Sequence, residues 1–64
     1  MRMTLKAARI NKGLTQQEVA DELRVNKQTI GRWERGITVP KIDQIKPICE
    51  LYGVSFDDIK WHAR

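Results

Sequence analysis

The stretch TQQEVADELRVNKQTIGRW, residues 15 to 33, reads as two short helices broken at Arg24-Val25-Asn26. Thr15 and Glu18 form a capping box: the threonine hydroxyl accepts from the Glu18 backbone N–H, and the glutamate reaches back to the N–H of Thr15. Val19, Ala20 and Leu23 follow at helical spacing, so the first helix lasts about two turns and ends near Leu23. Asn26 stands where it can cap the second, which continues to about Arg35 before Gly36 ends it. At about 100° per residue, Ile30 and Trp33 point one way and Gln28, Gly31, Arg32 and Arg35 the other, with Lys27 at the margin. One side of this helix belongs to a core; the other is a row of donors.

On the N-terminal side, Thr4 precedes LKAARINK and Gly13 follows it, which predicts a helix near residues 4 to 12 with Leu5, Ala8 and Arg9 inward. On the C-terminal side, ITVPKI is extended, because a residue before proline avoids the helical region. The next helix is expected to start near Asp43 or Gln44, since Pro47 is tolerated in a first turn but breaks a longer helix. Ile45, Ile48, Cys49, Leu51 and Tyr52 supply its apolar side, and Gly53 ends it. Ser55-Phe-Asp-Asp58 repeats the capping pattern for a short fifth helix carrying Phe56 and Ile59. No strand, repeat or linker is expected. The fold class is therefore all-α: a compact bundle of five short helices, one domain over residues 1–64 with its core at about 4–60.

With 64 residues, the chain is near the lower limit for folding without a disulfide or a metal. One cysteine and one histidine exclude an intrachain disulfide and a zinc-ligand set; no metal and no cofactor is expected. Four glycines and two prolines do not make a disordered composition. There is no apolar run of signal-peptide length and nowhere are there eighteen consecutive apolar residues, so a soluble, cytoplasmic protein with no membrane partner is expected. The net charge is +4 with a pI near 9.6, which favours a polyanionic partner. Its placement is more telling: from Arg24 to Lys41 five basic residues face one acid, Glu34, so the whole excess sits there.

Two short helices, a tight turn and a small residue, Ala20, where they must approach make the helix-turn-helix arrangement. LTQQEVADELRVNKQTIGRWERGITVPKIDQI, continued by ICELYGVSFDDI, resembles the phage repressor and Cro type of helix-turn-helix domain, the XRE family of bacterial and phage regulators. Leu14-Thr15-Gln16, Glu18, Ala20, Val25, Ile30, Trp33-Glu34-Arg35-Gly36, Pro40 and Leu51 to Val54 all stand in register. The resemblance implies that residues 26 to 35 lie in the DNA major groove, with base-contacting positions at Asn26, Lys27, Gln28 and Arg32. Arginine donates twice to guanine and glutamine pairs with adenine, so Gln28 and Arg32 are the foremost candidates. Gln16 matches a glutamine that bonds a phosphate at the start of the preceding helix. Arg35 and Lys41, where the chain leaves the recognition helix, are expected on the sugar-phosphate backbone. Arg9 and Glu34 match a partly buried salt bridge tying the first helix to the end of the recognition helix. Arg24 stands where the family has a turn glycine; it either strains or rearranges the turn, and can add a phosphate contact.

The resemblance thus implies a sequence-specific double-stranded DNA-binding regulator of the Cro or immunity repressor type, a homodimer at least on its pseudo-palindromic operator, dimerising through the stretch after Gly53 and the corner between the fourth and fifth helices. One alternative is a protein-interaction module of the same fold, an antitoxin or inhibitor; another is an N-terminal fragment of a larger repressor, though the tail KWHAR lacks linker composition. Trp33 lies opposite the donors and is expected in the core. Trp61 suits core or dimer contact equally. Cys49 is expected packed and unreactive, and His62 exposed. Asp57 and Asp58 do not face each other and favour a helix dipole. No nucleophile, base and orienting group converge, so the chain is not expected to be an enzyme.

Overall fold

A computed structural model of the chain describes residues 2–61. The elements follow in the order β1 (Met3–Thr4), α1 (Leu5–Asn11), α2 (Gln16–Leu23), α3 (Lys27–Arg35), α4 (Ile42–Tyr52), a single 3₁₀ turn (Phe56–Asp58) and β2 (Ile59–Lys60). The first three helices have the expected bounds, and their local chemistry explains why. The Thr4 hydroxyl accepts from Ala7 N–H at 3.0 Å. In α2 both halves of the capping box form, Glu18 N–H to Thr15 Oγ1 at 3.1 Å and Thr15 N–H to Glu18 Oε1 at 2.9 Å. Asn26 occupies the N-cap position of α3 but makes no side-chain capping bond there, so it ends the turn by backbone conformation alone.

The chain departs from a five-helix bundle in its last quarter. The expected fifth helix is only the 3₁₀ turn, although its capping residues bond as anticipated, with Ser55 N–H donating to Asp58 Oδ2 at 2.9 Å. Ile59 leaves that turn in extended conformation and pairs in parallel with β1, Met3 beside Ile59 and Thr4 beside Lys60. A two-stranded ribbon thus replaces the last helical turns. Helix α4 also starts earlier than expected, at Ile42, because Gln44 Oε1 accepts from the Lys41 backbone N–H at 2.7 Å and fixes the first turn there. Pro47 therefore lies inside the helix. It costs the bond to the Asp43 carbonyl, but both residues are exposed, so water replaces what proline cannot give.

Every helix and β2 contribute to one core: Leu5 and Ala8, Val19 and Ala20, Ile30 and Trp33, Ile48 and Tyr52, and Ile59. Val19, Ala20 and Ile48 are fully buried. The chain turns from α2 to α3 over Arg24, Val25 and Asn26, with Arg24 in the left-handed region at φ 58° and ψ 44°. The turn keeps its compact form with arginine where glycine is usual in such turns, at a conformational cost of about 1 to 2 kcal/mol.

Candidate nucleic-acid interface

Helix α3 is divided by its packing. Ile30 and Trp33 are held in the core, while Asn26, Lys27, Gln28, Arg32 and Arg35 are exposed. None of Lys27, Gln28 or Arg32 takes part in the side-chain hydrogen bonds formed among the described residues. Their donors are available to a partner. Gly31, which the helical spacing sets among these donors, is instead buried. The Arg35 guanidinium folds back over it, with Nη1 3.3 Å from where a Cβ would stand and Gln16 Nε2 at 3.8 Å.

Behind this face lies a charged network that ties three helices. Arg9 Nε donates to Glu34 Oε2 at 2.6 Å and Arg9 Nη2 to Glu34 Oε1 at 3.2 Å, with only 11% and 5% of the two side chains exposed. Arg9 Nη1 also donates to the Leu14 carbonyl at 2.8 Å, and Gln16 Nε2 to Glu34 Oε1 at 3.0 Å. A paired, bidentate geometry of this kind is what a buried charge requires. The bond to Glu34 raises the Arg9 pKa against the opposing effect of burial. The network anchors α1, the start of α2 and the end of α3 to one another. Gln16 thus has a structural partner, a bond the sequence did not reveal because it joins positions 18 residues apart.

Comparison with known proteins bears on the same region. The helix-turn-helix family matches residues 5–59. The chain belongs to this family. Curated relatives include the HTH-type transcriptional activator BcrR of Enterococcus faecalis, 33% identical over 55 residues, which are 86% of this chain and 27% of the relative. The transcriptional repressor RstR of the cryptic phage CTXphi in Vibrio cholerae is 29% identical over 86% of this chain and 50% of its own length. The SPbeta prophage-derived regulator YonR of Bacillus subtilis is 36% identical over 83% of this chain and 49% of its own. The chain therefore spans about a quarter to a half of the length of these relatives. No solved structure matches it significantly.

Within this helix-turn-helix domain, α2 and α3 are the two helices of the motif, and α3 stands in the place of the helix that enters a major groove in such domains. Arg24 and Lys41 are exposed at its two flanks, one before α3 and one at the N-cap of α4. Away from the donors, at the corner of α4 and the 3₁₀ turn, Ile42, Ile45, Lys46, Cys49 and Phe56 line an open groove of roughly 350 Å³. Ile42 is 88% exposed and Phe56 54%. Cys49 is thus only partly buried rather than packed, and desolvation, with Asp58 and Glu50 nearby, pushes its thiol pKa up, away from the reactive thiolate. Trp61 is partly buried and packs against the core, as one of its two expected readings had it; its ring stacks on Phe56 at 5.4 Å and its indole N–H donates to the Phe56 carbonyl at 2.9 Å. The hydrogen bonds from Ser55 hold the Asp58 carboxyl below its usual pKa, which gives this acid a capping role. His62 lies outside the described residues. Among the described residues no group of three or more metal-binding side chains gathers, and no helix is long and apolar enough to cross a membrane.

Proposed function

We propose that this chain is a sequence-specific double-stranded DNA-binding transcriptional regulator, a repressor of the Cro or immunity type that occludes a promoter. The observation that carries this reading is the outward face of α3, where Lys27, Gln28 and Arg32 are exposed on a helix whose opposite side is locked into the core. Gln28 and Arg32 read base edges, with Asn26 and Lys27 at the start of the helix beside them. Gln16, Arg35, Lys41 and Arg24 meet phosphates and set the register without specifying sequence. The relatives' names include a repressor and an activator.

The regulator acts as a homodimer on a pseudo-palindromic operator. The Cα envelope measures 28 × 22 × 21 Å, a size at which two touching copies address half-sites about 34 Å apart. The apolar corner of Ile42 and Phe56 supports placing the contact between copies there.

The test is a titration of the chain against duplexes from the DNA flanking its gene, with unrelated duplex as competitor, at two salt concentrations. Wild type is expected to prefer one site by about a thousandfold or more. Gln28→Ala/Arg32→Ala should lose that preference and keep its fold and salt slope, because phosphate contacts remain. Weak, sequence-blind binding unchanged by the double substitution would sink the reading and send the search to a protein partner.

A further inference from the structure

We propose that Gly31 is a positioning residue for DNA binding: by lacking a side chain it lets the Arg35 guanidinium and the Gln16 amide converge on one backbone phosphate. The inference rests on the DNA-binding reading above. Gly31 is the fifth residue of a nine-residue helix, a place where glycine costs roughly 1 kcal/mol relative to alanine. Core packing does not explain it. Apart from the helix's own backbone, the three nearest atoms to a Cβ at this position are Arg35 Nη1 at 3.3 Å, Gln16 Nε2 at 3.8 Å and Arg35 Cζ at 3.9 Å. All belong to the two donors. Glycine here leaves room for them.

The two donors differ in how they are held, which makes the seat directional. Gln16 is the first residue of α2, beside backbone N–H groups that have no intrahelical partner. Its amide gives one N–H to Glu34 Oε1, whose carboxylate is fixed by Arg9, so its second N–H points from a braced position. Arg35 is one turn along α3 from Gly31, on the same face, and brings a full positive charge. Arg35 Nη1 and Gln16 Nε2 lie 3.3 and 3.8 Å from the point a Cβ would take, so both reach the same small patch over Gly31. Two donors gathered over one glycine suit the oxygens of a single phosphate.

The experiment uses a short duplex of mixed sequence, since phosphate contacts do not depend on the operator. Gly31→Ala places a methyl against the mobile end of Arg35, so the thermal midpoint should stay or rise with helix propensity. Affinity for the duplex should nevertheless fall, by about threefold to tenfold at low salt, with the log–log salt slope shallower by up to about 0.9. In an Arg35→Ala background the same substitution should change nothing further. Gln16→Ala and Arg35→Ala should be markedly less than additive, a test that leaves Gly31 untouched. Wild-type affinity in a folded Gly31→Ala, an undiminished loss in the Arg35→Ala background, or full additivity of Gln16→Ala and Arg35→Ala would each overturn the proposal while leaving DNA binding intact. A wild-type chain that ignores the duplex would remove both the proposal and the function it rests on.

Discussion

The segment from Gln16 to Arg35 and the segment from Ile42 to Lys60 are similar in length and share one core, yet they differ in what fixes them and in what they show to solvent. In the first, helix starts and stops follow from side chains within a few residues, such as Thr15 and Glu18, and the outer face carries Lys27, Gln28, Arg32 and Arg35. In the second, the chain accepts a proline inside α4 and abandons its last helix to pair with residues 3 and 4, and the outer face carries Ile42 and Phe56. One face suits a polyanion and the other an apolar surface. The two halves thus present different chemistry to solvent on one shared core.

The comparison breaks most sharply where the two chemistries meet. Arg9→Ala or Glu34→Ala leaves a buried charge alone and should cost about 3 to 5 kcal/mol. For a domain of this size that approaches the whole stability, so a denaturant titration should find either variant largely unfolded. DNA affinity then falls as a consequence. A variant that melts like wild type would show that the halves do not depend on this network. Arg24→Gly acts in the opposite direction: relieving the left-handed arginine should stabilise the fold by about 1 to 2 kcal/mol, read as a higher denaturant midpoint. If Arg24 also meets a phosphate, the same variant binds duplex with a shallower salt slope, and the local turn is shown to trade stability for affinity.

Tyr52 sharpens the comparison by pH. Burial first, then the Glu34 charge, pushes its phenol up to about 12, with Arg9 opposing. The folded state holds this proton more tightly than the unfolded chain, whose tyrosines ionise near pH 10. Stability from this group is complete below about pH 10 and is lost as pH rises through about 12. Thermal melts across that window should show a fall that Tyr52→Phe reduces. The smallest effect on the fold is expected from Ile42→Lys, at an 88% exposed position, where stability should move by no more than about 0.5 kcal/mol. Its effect belongs to assembly: sedimentation should show self-association weakened and the operator isotherm should lose cooperativity. Unchanged sedimentation would remove the α4 corner as the contact between copies.

Legibility in the sequence followed the same division. The bounds of α1, α2 and α3, the inward Leu5, Ala8 and Arg9, the core position of Trp33 and the Arg9–Glu34 pair were all readable, the last through family resemblance. They rest on periodicity, capping and matched motifs. The early start of α4 was not, because Gln44 is an inconspicuous cap and Pro47 weighs heavily in any local reading. The ribbon was hidden more deeply. Ser55 to Asp58 carries a sound capping pattern, but Ile59 pairs with Met3, a position 56 residues away, so the pairing is decided by the fold between them. At the candidate interface the exposed donors could be found from spacing alone. The Gln16–Glu34 bond and the covering of Gly31 needed the packing of α2 against α3.

The ribbon of Met3–Thr4 with Ile59–Lys60 also ties the two ends of the described fold to each other. Ile59 is 1% exposed and is made after all four helices. A chain cut after α4 would keep the basic residues of α3 but lack one core side chain, Ile59, and the partner of β1. Long-range closure of this kind comes late in folding. Shortening the chain before Ile59 should therefore loosen the whole domain, α3 included, and not merely trim its edge, because Ile59 belongs to the same core as Ile30 and Trp33.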